Sequence, residues 1–205
     1  NRYGPLCGTV GQLHLHTIWV ECVMAQGYTV IEKGTFDGTT NGVTFTSIPQ
    51  TYQHLEFSFA GISDQASSTR SYVYLQFNSG APYASNYAYV GWFQESGTQN
   101  TGNSSAAVPP VAVGRIGGAS SQTNSIGFVR LYVLGYSNTT LNGKNWMMQS
   151  GNQDNSTSNV ATNQLYGGVF RATSKVAITE MQVTCYTGSG TVIESGGTYI
   201  LAGWS

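Results

Sequence analysis

The sequence predicts an all-β chain, an antiparallel β-sandwich of about ten short strands with no significant helix. Three observations carry that expectation. Apolar and polar residues alternate with period two through many short segments, as in HLEFSF (54–59) and SYVYLQF (71–77). Gly, Pro, Asn and Asp gather between those segments, where tight turns need positive or fixed φ. No segment repeats its apolar residues at helical spacing.

The chain is organised around Val43 to Phe59, VTFTSIPQTYQHLEFSF, which reads as two strands hinged at a proline. Val43 and Phe45 oppose Thr44 and Thr46. Pro49 cannot donate to a ladder and biases Ile48 toward extended geometry, so the first strand stops there. Leu55, Phe57 and Phe59 then alternate with His54, Glu56 and Ser58, and three large apolar side chains on one face require a covering layer.

Residues 1–27 differ in style and read as an N-terminal extension or attachment strand, with 28–205 a single domain. Leu13–Val20 alternates, and His14 and His16 share a face, but no Cys or carboxylate at ligand spacing completes a metal site. Met24-Ala25-Gln26 looks like a chain start, so whether residues 1–23 are native is open. Tyr28–Lys33 is the first clear strand, followed by turns at Asp37-Gly38 and Asn41-Gly42. Ser71–Asn78 places Val73, Leu75 and Phe77 on one face. Asn86–Gln94 and Ser125–Tyr136 are apolar on both faces, which argues for central strands or for cover by a neighbouring subunit. Ser96–Ala107 and Ser150–Asn163 carry almost no apolar anchor and read as long exposed loops. Val108–Ile116, Lys144–Gln149, Leu165–Arg171, Val176–Cys185 and Thr198–Trp204 complete the strands. Gly188–Gly190 and Gly196-Gly197 supply the last turns.

Composition excludes several functions. Charged residues are 8% of the 205, and net charge is −1 with eight basic residues scattered singly, so no electrostatic footprint for nucleic acid exists. No apolar run reaches membrane-spanning length. The three cysteines, Cys7, Cys22 and Cys185, are an odd number at unrelated spacings and do not form a disulfide framework; Cys185 reads as a buried thiol.

Catalytic constellations are also missing from the pattern. There is no G-x-S-x-G elbow, and no two carboxylates sit two residues apart on one strand face. Glu56 and Glu180 read as solvated face residues. Gly114-Arg115-Ile116-Gly117-Gly118 lacks the Lys and helix of a phosphate cradle, and Asp154 stands alone where calcium would need clustered acids. Three N-x-S/T triplets, at Asn103, Asn138 and Asn155, are expected by chance in so Asn-, Ser- and Thr-rich a chain. The expectation is therefore no enzyme, no cofactor and no metal. The remaining positive signal is aromatic. Tyr83, Tyr87, Tyr89 and Trp92, with Trp146, are candidates for stacking on sugar rings, against the weightier alternative that they fill a core or a subunit interface.

Taken together, SIPQTYQHLEFSF (47–59), YLQFNSGAPYASNYAYV (74–90) and TSKVAITEMQVTCYTGSGTVIESGGTYILAGW (173–204) resemble a widespread set of virion proteins of tailed bacteriophages. The marks are Ile48, Pro49, Tyr52, His54 and Leu55; Phe77, Asn78, Tyr87 and Tyr89; Ile178 and Thr179; and Gly197, Thr198, Tyr199, Leu201 and Gly203. The resemblance covers residues 28–205. It departs at the Ala202-Gly203-Trp204 ending and in 96–107. It implies a jelly-roll-like sandwich, usually trimeric, shown on the virion surface as a tail-fibre, receptor-binding or head-decoration module. The chain would be made in the host cytoplasm. Its partners would be its own copies, other virion proteins and, in a receptor-binding role, host surface glycans, with no membrane insertion.

Overall fold

Pro49 marks the place where the chain leaves one layer of the molecule for the other. In the computed structural model, β2 (Gly42–Phe45) belongs to one sheet and β3 (His54–Gly61) to the second. The structure describes residues 27–65, 70–78, 87–95, 98–107, 111–119, 126–141, 143–153, 161–171, 175–186 and 192–205. Among them lie ten further strands and no helix: β1 (Thr29–Thr35), β4 (Arg70–Phe77), β5 (Tyr87–Glu95), β6 (Thr98–Ala107), β7 (Val111–Gly117), β8 (Gly127–Leu134), β9 (Gly143–Gln153), β10 (Ala161–Arg171), β11 (Met181–Tyr186) and β12 (Thr198–Trp204).

The strands form two antiparallel sheets. The larger runs β1-β12-β3-β8-β9-β10-β5-β6 and the smaller β2-β11-β4-β7. This is the antiparallel β-sandwich expected from the alternation, with twelve strands rather than about ten. Residues 1–26, with Cys7, Cys22, His14 and His16, lie outside the described residues.

The core is the set of inward positions that alternation marks. Leu55, Phe57 and Phe59 of β3 and Val129, Leu131 and Val133 of β8 face Val73, Leu75 and Phe77 of β4 and Met181, Val183 and Cys185 of β11, all buried. Each such side chain contributes roughly 1.5–3 kcal/mol by leaving water. Cys185 is a free buried thiol, as its place in the pattern suggests.

One end of the sandwich is clasped by polar groups at three chain crossings. Ile48 N–H donates to Thr179 O (2.9 Å), Ile178 N–H to Tyr136 O (2.9 Å), and the Tyr136 hydroxyl to Pro49 O. Asn78, at φ 46°, accepts the N–H groups of Thr179 (2.9 Å) and Glu180 (3.1 Å) on Oδ1 and donates from Nδ2 to Ala177 O (2.8 Å). Asn tolerates the left-handed region better than most residues, so one side chain supplies both the bend and its partners.

Four sequence expectations are corrected. Residues 98–107 are not a loop but the edge strand β6, paired along β5 from Glu95↔Thr98 to Tyr87↔Ala107. An edge strand is held by its backbone ladder, so it needs no apolar alternation. The second expected loop begins later than 150, since β9 runs through Gln153 and β10 starts at Ala161; residues 154–160 lie outside the description. There the inward side chains Ser150, Asn152 and Gln164 are polar, which hides the strand. Val176–Glu180 is not strand but the extended crossing that Asn78 holds, and β11 begins at Met181. Glu56 is not solvated: it is 6% exposed.

Candidate functional site

The four aromatic candidates among the described residues do not assemble into a site. Tyr83 lies outside the described residues. Tyr87 is 0% exposed, stacks on Phe77 (6.1 Å between centroids, 18°) and accepts the Phe77 N–H on its hydroxyl (2.5 Å). Burial pushes the Tyr87 phenol well above its usual range. Trp146 is 3% exposed and points inward with Met148, near Tyr89 (6.5 Å). Tyr87 and Trp146 are therefore core side chains and cannot stack on a sugar, which corrects their candidacy. Tyr89 is half-buried against Trp146 and Tyr166 (6.0 Å). Only Trp92, half-buried beside Leu165 on β10, lies on the outward face.

That outward face of the eight-stranded sheet is the unusual surface of the molecule. Of the eleven large apolar side chains exposed among the described residues, eight lie on it: Tyr28, Val30, Val90, Phe128, Leu134, Met147, Leu165 and Ile200. Strand parity and register place them together. One row across the sheet runs Ala202–Glu56–Tyr132–Met147–Gly167–Val90, and the next runs Ile200–Ser58–Arg130–Gln149–Leu165–Trp92. The smaller sheet shows water a polar row instead, Thr44–Gln182–Gln76.

The face has two chemically different halves. Over β8-β9-β10-β5 it is mainly apolar, with Leu134, Met147, Leu165, Trp92 and Val90, the last 63% exposed, interspersed with Asn145 and Gln149 and bordered by Arg171. Gly167 lies between Met147 and Val90 in their row, with no side chain to divide them.

Over β1-β12-β3-β8 the centre is ionic. Arg130 Nε donates to Glu56 Oε1 at 2.6 Å, with the arginine side chain 51% exposed and the carboxylate side chain 7%. Tyr28 lies parallel over Trp204 (6.0 Å, 15°), with its phenol near Glu56. Arg130 sits over the Tyr132 ring at 5.1 Å. Burial first, and then the nearby Glu56 carboxylate, raise the Tyr28 phenol; the bond to Glu56 raises Arg130. Both groups thus keep their protons across the physiological range, and the cluster is a neutralised ion pair under an aromatic roof.

Sequence reasoning missed this pair. A signal was available: Arg130 is the single charge in GFVRLYVL and Glu56 the single acid in HLEFSF, both at outward parity. Among the described residues no group of three or more His, Cys, Asp and Glu comes together, and no helix is long and apolar enough to cross a membrane. Compared with family models, with curated proteins and with solved structures, the chain matches none.

Proposed function

We propose that this chain is a non-enzymatic structural protein of a tailed-phage virion, exposed on the particle and assembled as a homotrimer. The observation that carries the reading is the set of apolar side chains Leu134, Met147, Leu165, Trp92 and Val90 on the outward face of β8-β9-β10-β5, with Asn145 and Gln149 among them and Arg130 and Arg171 at the margin. Exposed contiguous patches of several hundred Å² mark interaction sites on soluble proteins. Four strands about 4.8 Å apart and three rows about 6.8 Å apart make a patch of roughly 400 Å² with its rim. A stable contact needs about 800 Å² per partner, so it must extend beyond the patch. Strand β6 beside it is an edge with neither charge nor proline, the kind of edge that another chain can meet.

The occupant favoured is a second copy of the chain. Charge is confined to the margin of the patch, at Arg130 and Arg171, and copies packed around an axis close the assembly without leaving a patch exposed. Between the two roles the resemblance allows, burial of Tyr87 and Trp146 takes two of the five stacking candidates out of a ligand's reach and favours the structural one. A decoration or fibre role, in which faces hold the particle's parts together, stands first.

Two measurements test this. Light scattering on the purified chain at micromolar concentration should give three times the 21.9 kDa chain mass; a monomer overturns the assembly. Antibodies against the folded chain should bind intact particles of the phage that encodes it, and particles devoid of the chain overturn the virion role.

A further inference from the structure

We propose that Asn41 is a site of spontaneous deamidation, at which the backbone nitrogen of Gly42 turns the side-chain amide into a carboxylate and diverts part of the product to isoaspartate. Nothing in this chemistry depends on how copies of the chain assemble. Asn41 and Gly42 sit where the turn after β1 enters β2, an edge strand of the smaller sheet.

Three features converge there. First, the nucleophile is not held by the ladder. Cys185 N–H donates to Asn41 O at 2.7 Å, and the register that sets Gly42 against Thr184 sets Asn41 against Cys185. Hydrogen-bonded and non-hydrogen-bonded pairs alternate along an antiparallel ladder, so Gly42 and Thr184 form a pair of the second kind. Gly42 N–H therefore points off the sheet's edge, away from β11, and no described residue accepts it. Second, the Asn41 side chain is exposed and has no hydrogen-bond partner among the described residues, so its amide carbon is open to attack. Third, no bulkier residue fits at 42 to shield that carbon. A Cβ there would lie 2.2 Å from Val183 O and 2.6 Å from Thr184 Cα, both backbone atoms. The packing thus keeps the least hindered residue next to Asn41.

The step needs only water and hydroxide. Hydroxide takes the proton of Gly42 N, which attacks Asn41 Cγ. The new N–C bond forms as the Cγ–Nδ2 bond breaks, and ammonia leaves with a proton from water. Water then opens the cyclic imide at either carbonyl, giving aspartate or isoaspartate. In isoaspartate the main chain runs through Cβ and Cγ, so an extra methylene enters the strand just before Gly42. The bonds at Cys185 and at Val43 then fall out of step. Strand β2 is four residues long and seats Phe45, 1% exposed, in the core, so this end of the sandwich loosens.

The test ages the purified full chain in mildly alkaline buffer and follows its tryptic peptides by mass spectrometry. Peptide 34–70 holds Asn41 as its single asparagine, and the same peptide aged free in solution gives the unprotected rate. The folded chain should deamidate at Asn41 within about tenfold of that rate, because neither reacting group is held by the fold. The rate should rise with pH. Protection by about a hundredfold or more overturns the proposal. Earlier conversion in peptide 131–144, which carries the other Asn-Gly pair, with Asn41 intact also overturns it. The aged chain, separated by its added negative charge, should contain isoaspartate and unfold several degrees below the parent. Asn41→Asp, which carries the charge without the extra methylene, should unfold close to the parent. An aged chain that unfolds with the parent, or an Asn41→Asp variant that falls as far as the aged chain, overturns the loosening by isoaspartate.

Discussion

Asn78 holds Thr179, a hundred and one residues later in the chain, by accepting its N–H at 2.9 Å. The same oxygen takes the N–H of Glu180 and the amide nitrogen gives to Ala177, so one side chain terminates β4 and steers the crossing into β11. Asn78→Ala removes all three bonds and leaves an Ala at positive φ. Stranded amide groups in a part-buried corner cost about 1–3 kcal/mol. The left-handed alanine adds roughly 1 kcal/mol. The midpoint of thermal unfolding should fall by roughly 5–15 °C for a chain this long. Asn78→Gly, which relieves the backbone, should fall less. Equal midpoints for both variants and the parent would show that the clasp is dispensable.

Gly168 tests how tightly the buried tryptophan is seated. A Cβ built there lies 2.5 Å from the Ala88 carbonyl oxygen and 2.6 Å from the Trp146 ring. Neither neighbour is a free side-chain end, so Gly168→Ala must push β5 or the indole aside, and overpacking of this kind costs about 1–3 kcal/mol. Denaturant unfolding should show the loss, with Trp146 fluorescence changed in the native state. A variant as stable as the parent would place Trp146 in looser surroundings than these distances give.

The strands that alternation exposed are those with an apolar inner face: β3, β4, β8 and β12 were legible because Leu55, Val73, Leu131 and Leu201 and their neighbours repeat every second residue. Strand β6 and the far end of β9 were not, since an edge is held by backbone bonds and Ser150, Asn152 and Gln164 face inward there. Parity in KNWMMQ separates Trp146 from Met147 but does not say which of them meets the core. That depends on pairing with β8 and β10, a long-range fact. For the same reason Glu56 read as solvated: the residues that cover it, Tyr28 and Arg130, come from distant segments. The marks of resemblance were legible as a set, and the structure gathers several of them, Ile48, Pro49, Asn78, Ile178 and Thr179, into one polar clasp. They bear on how the sandwich is closed and not on a ligand.

Alkaline pH should unfold the protein cooperatively. Burial raises the phenols of Tyr28, Tyr87, Tyr136, Tyr166 and Tyr199 and the thiol of Cys185 in the folded state. In the unfolded chain these groups ionise near pH 8.5 for the thiol and pH 10 for the phenols. Between those values and the raised native ones, the folded chain holds more protons than the unfolded chain, so stability falls as pH rises. Lys144, lowered by burial, works in the opposite direction, because its charge costs least when the proton is gone. With one lysine against six acids the net slope should be negative. Denaturation midpoints should hold to about pH 8 and decline above it. Phenolate absorbance should rise together with loss of β-sheet circular dichroism. Phenolate appearing well before unfolding would mean that the buried tyrosines are open to water.

Replacing Arg130 and Glu56 separates the pair's own contribution from that of its burial. Arg130→Met leaves the Glu56 carboxylate enclosed without its cation. Losing one partner of a fully buried pair costs about 3–5 kcal/mol, and with half of Arg130 in water about 1–2 kcal/mol is expected. Glu56→Gln should cost less, since the amide can still accept from Arg130 and no charge is stranded. The double replacement Glu56→Leu with Arg130→Met removes both charges and should recover most of the stability lost by Arg130→Met alone. Additive losses in that cycle would show that the two side chains act independently, and that the ionic centre is not what fixes Tyr28 over Trp204.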